Sequence, residues 1–178
     1  MGLPAASHAS GADLKANPGN DLYTAVIYLG PGDYHRFHSP TEWAADQRIH
    51  VSGELLSVAV DLVKRFPSIL SLNERVALIG SWRHGFFAYS AVGAYNVGNI
   101  TLASDEKFRA NVPKVNMGAV DKVAFPDPLR LKRGDEVGVF NLGSTIVLVF
   151  EAPKNFAFSV VPGDRVKMGQ RIAVLNKQ

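Results

Sequence analysis

The chain of 178 residues contains no cysteine. Disulfides, thiolate metal sites and cysteine nucleophiles are therefore excluded, while the redox compartment is left open. Long hydrophobic runs are also missing. A bilayer-spanning helix needs about 20 apolar residues, and the longest run here, Ile146 to Phe150, is strand-sized. No run of lysine or arginine occurs, and the formal charge is only +3 with a pI near 9.2. Nucleic acid is thus not an expected partner. The mild basic excess suits an anionic lipid surface, where each nearby cation contributes about 1 kcal/mol; taken alone, the charge reads first as an ordinary solvated surface. Residues 1–20 have neither the apolar h-region of a secretory signal nor the Arg-rich pattern of a transit peptide. They read as a flexible tail, leaving 21–178 as one folded domain.

Hydrophobic residues make up 47% of the chain, enough for a sizeable core. Tyr23 to Leu29 is β-branched and aromatic and predicts a buried strand, stopped by Gly30-Pro31-Gly32. Two histidines follow just past the strand end, where working side chains often sit. Leu55, Leu56, Val58, Leu62 and Val63 fit one face of a short helix limited by Pro67. Val76–Ile79 and Phe86–Val92 read as strands, and Ala94 to Leu102 continues the pattern, with Gly93 and Gly98 as bulges or close-packing points. Residues 103–128 are polar and Pro-containing, which predicts a loop with an edge strand.

A weak internal echo occupies the C-terminal part. Leu131 to Phe140 and Val161 to Val174 each carry a Gly-Asp turn, then valine, then a second short strand. Barrel-sandwich hybrid domains such as biotinyl and lipoyl carriers share this texture. Lys167-Met168 superficially fits a carrier lysine, but sits within the turn-strand pattern and not at a tip of its own. The expected class is α+β, mainly β. It has short twisted strands, one or two short helices and a C-terminal barrel-sandwich-hybrid-like unit.

Two stretches carry chemistry. The first is Leu142-Gly143-Ser144-Thr145, leading into Ile146 to Pro153; the second is Tyr28-Leu-Gly-Pro-Gly-Asp-Tyr-His-Arg-Phe-His-Ser-Pro40. Gly-Ser alone is among the least specific dipeptides and commonly a turn. His35 and His38, at i and i+3, also read as two structural histidines or as part of a metal site. The latter would need ligands beyond His50 and His84, and the sequence shows no zinc-like pattern. Taken together, the two stretches resemble the phosphatidylserine decarboxylase family over roughly residues 21–178, the C-terminal part of a full-length enzyme. The variants look most like its mitochondrial branch.

The resemblance implies an enzyme that cuts its own chain between Gly143 and Ser144. Ser144 would attack the preceding carbonyl and end as an N-terminal pyruvoyl cofactor. That group would decarboxylate phosphatidylserine to phosphatidylethanolamine through a Schiff base. His38 maps onto the histidine of an Asp-His-Ser relay driving the cut. His35 maps onto the histidine associated with decarboxylation, with proton transfer to the substrate carbon as its role. No metal is implied. The mature form would be chains 1–143 and 144–178 paired without a covalent link, with a homodimer as the expected assembly. The expected site of action is an anionic membrane surface, at the mitochondrial inner membrane. Arg36 is a candidate for the substrate's anionic groups, and Phe37, Trp43, Trp82, Phe86 and Phe87 for an acyl-chain path, with core packing preferred for the last two. The relay aspartate of the family belongs to an upstream Asp-Gly segment. Asp13, Asp21 and Asp33 do not match that context. The first alternative is therefore an unprocessed, inactive fragment or pseudoenzyme. A carrier-like β domain modified at Lys167 is the second, and a metal-dependent hydrolase the third.

Overall fold

The computed structural model describes residues 17–94, 100–111, 116–140 and 144–176. In chain order the elements are β1 (Asn20–Leu29), β2 (Arg36–His38), β3 (Trp43–Val51), α1 (Val60–Arg65), α2 (Ile69–Leu72), β4 (Arg75–Trp82), β5 (Gly85–Val92), β6 (Ile100–Leu102), β7 (Val120–Leu131), β8 (Glu136–Phe140), β9 (Ser144–Pro153), β10 (Phe156–Phe158) and β11 (Ala173–Leu175). The mainly β class expected from the sequence holds, with two short helices. Six strands form an open sheet in the order β1-β9-β5-β4-β3-β7, and a smaller sheet has the order β2-β8-β6. Every pairing in both sheets is antiparallel.

The smaller sheet packs on one face of the larger. Phe37 from β2 and Phe140 from β8 are nearly inaccessible. Phe37 stacks on Tyr89 of β5 at 5.9 Å and tilts against Phe140 at 4.6 Å. Gly138 makes this approach possible, because a Cβ there would collide with the Phe37 ring and the Thr101 carbonyl. Further along the same face, Phe150 of β9 meets Tyr23, Phe87 and Phe156 at 5.2–5.9 Å. The β10–β11 hairpin caps that end. Burial of these aromatics is the main cohesive term, each contributing about 1.5–3 kcal/mol.

β9 lies inside the sheet. It pairs with β1 along its whole length, from Leu29↔Ser144 to Asn20↔Pro153, and with β5 from Val92↔Thr145 to Phe87↔Phe150. Ile146, Leu148, Phe150 and Ala152 face the core. Its opposite face holds the fully buried carboxylate of Glu151, which accepts the N–H groups of Asn17 (2.7 Å) and Phe86 (3.0 Å) and the Asn20 amide (3.1 Å).

Three local differences from the sequence reading have physical causes. The helix expected from Leu55 begins only at Val60. Buried Asn73 accepts the Leu56 N–H (3.1 Å) and donates to the Leu56 carbonyl (2.7 Å), so it holds that backbone extended. β3 has no counterpart in the sequence reading because polar Arg48 and His50 occupy two of its buried positions, which hides the alternation. Arg48 lies 4.5 Å over the Phe108 ring and pairs with Asp121. The strand expected from Ala94 is described only over Ile100–Leu102, and Gly98 lies outside the described residues.

The C-terminal echo is turn chemistry. Four segments, Gly30–Asp33, Lys132–Asp135, Val161–Asp164 and Lys167–Gln170, share one geometry. The N–H of the fourth residue donates to the carbonyl of the first, and the fourth side chain accepts the N–H of the first at 2.7–2.9 Å. Gly134, Gly163 and Gly169 hold the third position at φ of +91°, +102° and +80°, which suits glycine. Lys167 thus opens a turn of its own, a separation the sequence pattern does not show.

A buried hydrogen-bonded carboxylate ties the sheet to the loops. Glu74 accepts His50 Nε2 (2.7 Å) and the N–H groups of Gly53 (2.8 Å) and Asn111 (2.7 Å). Burial pushes its carboxyl up, but the bonds from His50, Asn111 and Gly53 outweigh this and hold it below the usual carboxylate range. A carboxyl depressed in the folded state adds stability above its unfolded value of about 4.3, and that stability is lost as the pH falls through the folded value. Glu74→Gln should cost about 1–3 kcal/mol at pH 7, with the difference from wild type shrinking below pH 4. Urea denaturation at the two pH values measures this, and a pH-independent difference would contradict the assignment.

Candidate functional site

The chain crosses repeatedly between the large and small sheets, from β1 to β2 and from β8 to β9 among other places. β1 ends at Leu29, paired with Ser144 at the start of β9. β8 ends at Phe140, whose N–H donates to the His35 carbonyl at 3.0 Å. Residues 30–34 therefore lie between these two pairings. Gly143, the residue before the expected cut, lies outside the described residues. Ser144 is described, as the first residue of β9.

The Ser144 side chain is fully inaccessible, and its Oγ has no hydrogen-bond partner among the described residues. The same holds for Thr145 Oγ1. A buried hydroxyl without a partner costs about 1–3 kcal/mol, so two in succession mark a place held by something other than stability. β1 on one side and β5 on the other enforce the burial, since Thr145 pairs with both Tyr28 and Val92.

The two histidines diverge. His35 stands level with Phe140, at the end of β8 that leads to Ser144. Its Nε2 lies 3.3 Å from the Pro31 carbonyl. A carbonyl only accepts, so Nε2 carries a proton, and in the neutral ring Nδ1 is then a bare lone pair. That Nδ1 is buried and has no partner among the described residues. His38 lies opposite Glu136 beyond a bulge between Phe37 and His38. Its Nδ1 is 2.9 Å from the Gly134 carbonyl and its Nε2 is 2.8 Å from the Tyr34 hydroxyl. The same logic gives His38 the other tautomer, with Nδ1–H donating to Gly134 and Tyr34 donating to Nε2. The Tyr34 and His38 rings stack at 5.7 Å.

Among the described residues, no carboxylate hydrogen-bonds to either ring. Asp33 closes its own turn, and Asp21 sits in β1 opposite Ala152; Asp13 lies outside the described residues. No group of three or more His, Asp or Glu side chains that could hold a metal occurs among the described residues. Arg36 forks onto Glu136, both contacts at 2.8 Å, so its guanidinium is already engaged. Phe37, Trp43 and Phe87 are core residues, while Trp82 and Phe86 are half-buried. His50 belongs to the buried Glu74 pair. His84 accepts from Arg83 and lies against Trp82, and burial with the Arg83 charge lowers its pKa.

Sequence reasoning missed Tyr34 and Gly134. Tyr34 stands inside the histidine stretch, four residues before His38, but only the fold turns its hydroxyl onto that ring. Gly134 acts through its backbone carbonyl, for which the sequence carries no signal.

The family model described as phosphatidylserine decarboxylase matches residues 5–174. The chain belongs to the phosphatidylserine decarboxylase family. The mitochondrial phosphatidylserine decarboxylase proenzyme of Cricetulus griseus is 42% identical over 167 residues, covering 91% of this chain and 41% of the relative. Proenzyme 1 of Saccharomyces cerevisiae, also named mitochondrial, is 48% identical over 166 residues, covering 88% and 33%. The Caenorhabditis elegans proenzyme is 46% identical over 160 residues, covering 90% and 42%. The chain thus spans a third to about two-fifths of the length of these phosphatidylserine decarboxylase relatives.

The unpaired Thr145 hydroxyl gives a direct test of the geometry. Thr145→Val removes a buried polar atom and keeps the shape, so stability should be unchanged or higher by about 0.5–1 kcal/mol. Thermal melting of the two proteins checks this; a clear loss would mean that the hydroxyl has a partner.

Proposed function

We propose that this chain is the self-processing part of a pyruvoyl-dependent decarboxylase that converts phosphatidylserine to phosphatidylethanolamine and carbon dioxide. Family membership supports the substrate and the reaction. The observation that carries the self-processing is the buried Ser144 hydroxyl, without a partner among the described residues, at the start of an internal strand and paired with Leu29, from which the chain runs on to the two histidines. A buried hydroxyl with no competing partner among the described residues is free to turn on the preceding carbonyl.

In this reading Ser144 Oγ attacks the Gly143 carbonyl carbon while a histidine accepts the hydroxyl proton. The amide C–N bond breaks, the proton goes to the departing nitrogen, and an ester joins Gly143 to Oγ. Loss of the Ser144 Cα proton then expels the upstream chain as a carboxylate and leaves dehydroalanine. Hydrolysis releases ammonia and leaves the pyruvoyl group. We assign the first proton transfer to His38, following the resemblance. A pyruvoyl group at this position would supply a ketone that condenses with the substrate amine and takes up the electron pair left by carbon dioxide. His35, with its bare buried Nδ1, is assigned proton delivery to the substrate carbon.

The cut would fall at the edge of a strand and leave the sheet whole. The small chain keeps β9 between β1 and β5, and its Glu151 stays bonded to Asn17, Asn20 and Phe86. Non-covalent pairing of chains 1–143 and 144–178 follows. The partners that go with this reading are phosphatidylserine, an anionic membrane surface and a second copy of the chain in a homodimer. We place the activity at the mitochondrial inner membrane, since the named relatives are mitochondrial. No helix among the described residues is long and apolar enough to cross a membrane.

A second reading, an unprocessed inactive fragment or pseudoenzyme, draws on one observation: no carboxylate orients either histidine among the described residues. Loss of the orienting carboxylate costs about 10⁴ in rate in serine proteases. Intact-mass measurement separates the two. The proposed function expects two chains split after Gly143, the smaller lighter by one ammonia than a serine-started peptide, and one uncut chain for Ser144→Ala. His38→Ala should slow the cut by about 10²-fold or more, whereas His35→Ala should be cut but decarboxylate phosphatidylserine vesicles about 10²-fold more slowly. A wild-type chain that stays whole like the Ser144→Ala control would support the second reading.

A further inference from the structure

The end of the large sheet that holds Ser144 carries a second feature. Across β1, β9, β5, β4 and β3, the residues Tyr28, Thr145, Val92, Arg75 and Val51 lie opposite one another. Ser144 is one residue further out on β9. From Val51 to Arg75 the chain leaves this same end of the sheet, forms α1 and α2, and returns. The base of the excursion is closed. Glu54 N–H donates to the Leu72 carbonyl at 2.9 Å, and Glu74 N–H donates to the Glu54 carbonyl at 2.8 Å. Leu55 sits beside Gly93, the residue after Val92: its Cδ2 lies 3.5 Å from where a Cβ on that glycine would stand. The excursion is thus attached next to the end of β5, the strand that pairs with β9.

Its solvent side is apolar. Buried Val58 and Ile69 pin it to the body of the fold, yet no residue of α1 is buried. Leu56, Val60, Phe66 and Leu72 are between 40% and 57% exposed. Single exposed apolar residues are ordinary. Four on one closed excursion, around a six-residue helix with no buried residue, leave an apolar surface that a partner would cover.

The charges indicate which partner. From Leu62 to Leu72 the only charged residues are Lys64 and Arg65, directly before Phe66; Glu54 and Asp61 precede that stretch. Lysine and arginine lay their apolar stems on such a surface and keep their heads at its polar edge. An aromatic among aliphatics with adjacent cations is the composition that settles into the headgroup layer of an anionic bilayer. Val161 and Met168 are also exposed, near Arg165 and Lys167 in sequence. They follow the Pro153 end of β9, the end away from Ser144.

We propose that the excursion from Leu56 to Leu72 is a lipid-docking face, whose apolar side chains enter an anionic bilayer while Lys64 and Arg65 meet lipid phosphates. It rests on the reading of the substrate as a bilayer phospholipid, and it names the surface of the fold that meets that bilayer. Docked this way, the protein turns the Ser144 end of its sheet to the membrane, where the headgroups are.

Vesicle binding by the full chain, as the uncut Ser144→Ala protein, tests the face without cleavage or turnover. The protein should co-sediment with phosphatidylcholine vesicles containing phosphatidylglycerol, and bind pure phosphatidylcholine more weakly. Phe66→Asp with Leu72→Asp should weaken binding by about 10-fold or more. Lys64→Gln with Arg65→Gln should weaken it by about 5-fold per charge removed. Val161→Asp with Met168→Asp should leave it unchanged. Phe66→Trp supplies a readout that a folding defect does not imitate. Its emission should shift to the blue and be quenched by brominated lipid, over a background from Trp43 and Trp82 at the far ends of β3 and β4. Absent vesicle binding, full binding by the Phe66→Asp, Leu72→Asp protein, or no quenching of Phe66→Trp would each overturn the proposal. So would a Phe66→Asp, Leu72→Asp protein that binds vesicles normally but changes from dimer to monomer, because the face would then belong to a second copy. If the face binds vesicles as expected and the wild-type chain forms no phosphatidylethanolamine, the proposed function has failed and the docking face stands.

Discussion

The placement of β9 inside the six-stranded sheet is the constraint on which the rest depends. Its two neighbours, β1 and β5, satisfy its backbone on both edges. Its core side carries Ile146, Leu148 and Phe150, onto which the hairpin and the small sheet's neighbours pack. A strand so held cannot let its first residue drift. Ser144 is therefore presented at a fixed place, buried and without a hydrogen-bond partner among the described residues, at the start of β9. The unmet hydroxyl is a local cost carried by the surrounding sheet, the usual arrangement where reactivity and stability compete. The same placement explains how a chain could be cut there and stay assembled.

The small sheet sets the second half of the geometry. Phe37 is drawn into the core against Tyr89 and Phe140, with Gly138 leaving room for its ring. Burying Phe37 turns its neighbours away from the core, and the bulge after it separates His35 from His38 along β8. One histidine ends level with Phe140, and the other faces the Gly134 turn. Their opposite tautomers follow from backbone carbonyls alone, Pro31 for one ring and Gly134 for the other. Two imidazoles three residues apart thus become chemically distinct without any charged partner, because each meets a different rigid acceptor.

Much of this was legible in the residues. The β-branched run from Tyr23 to Leu29, the stop at Gly30-Pro31-Gly32 and the apolar run after Ser144 announce two strands by composition, and those strands pair with each other. The edge strand expected within residues 103–128 is β7, which extends to Leu131. The strand β3 was not, since a cation over Phe108 and a histidine paired with Glu74 stand where apolar residues would reveal the alternation. The helix around Leu55 was overextended because a buried asparagine, Asn73, captures the Leu56 backbone from across the fold. Such partners are at least 17 residues away in sequence, beyond any local pattern.

By itself, then, the sequence determined which groups the protein carries and their chemical possibilities: a Gly-Ser step before a strand, two histidines after another, a mainly β chain without thiols, and the family to which those motifs belong. Local propensity and side-chain chemistry are sufficient for that. Only the tertiary structure decided what each group faces. It buried Ser144 against β1, gave His35 a buried Nδ1 with no partner among the described residues, engaged Arg36 with Glu136, and set Tyr34 on His38. These are long-range pairings whose acceptors are often backbone carbonyls. A backbone carbonyl is the same in every residue, so only its position in the folded chain gives it a role.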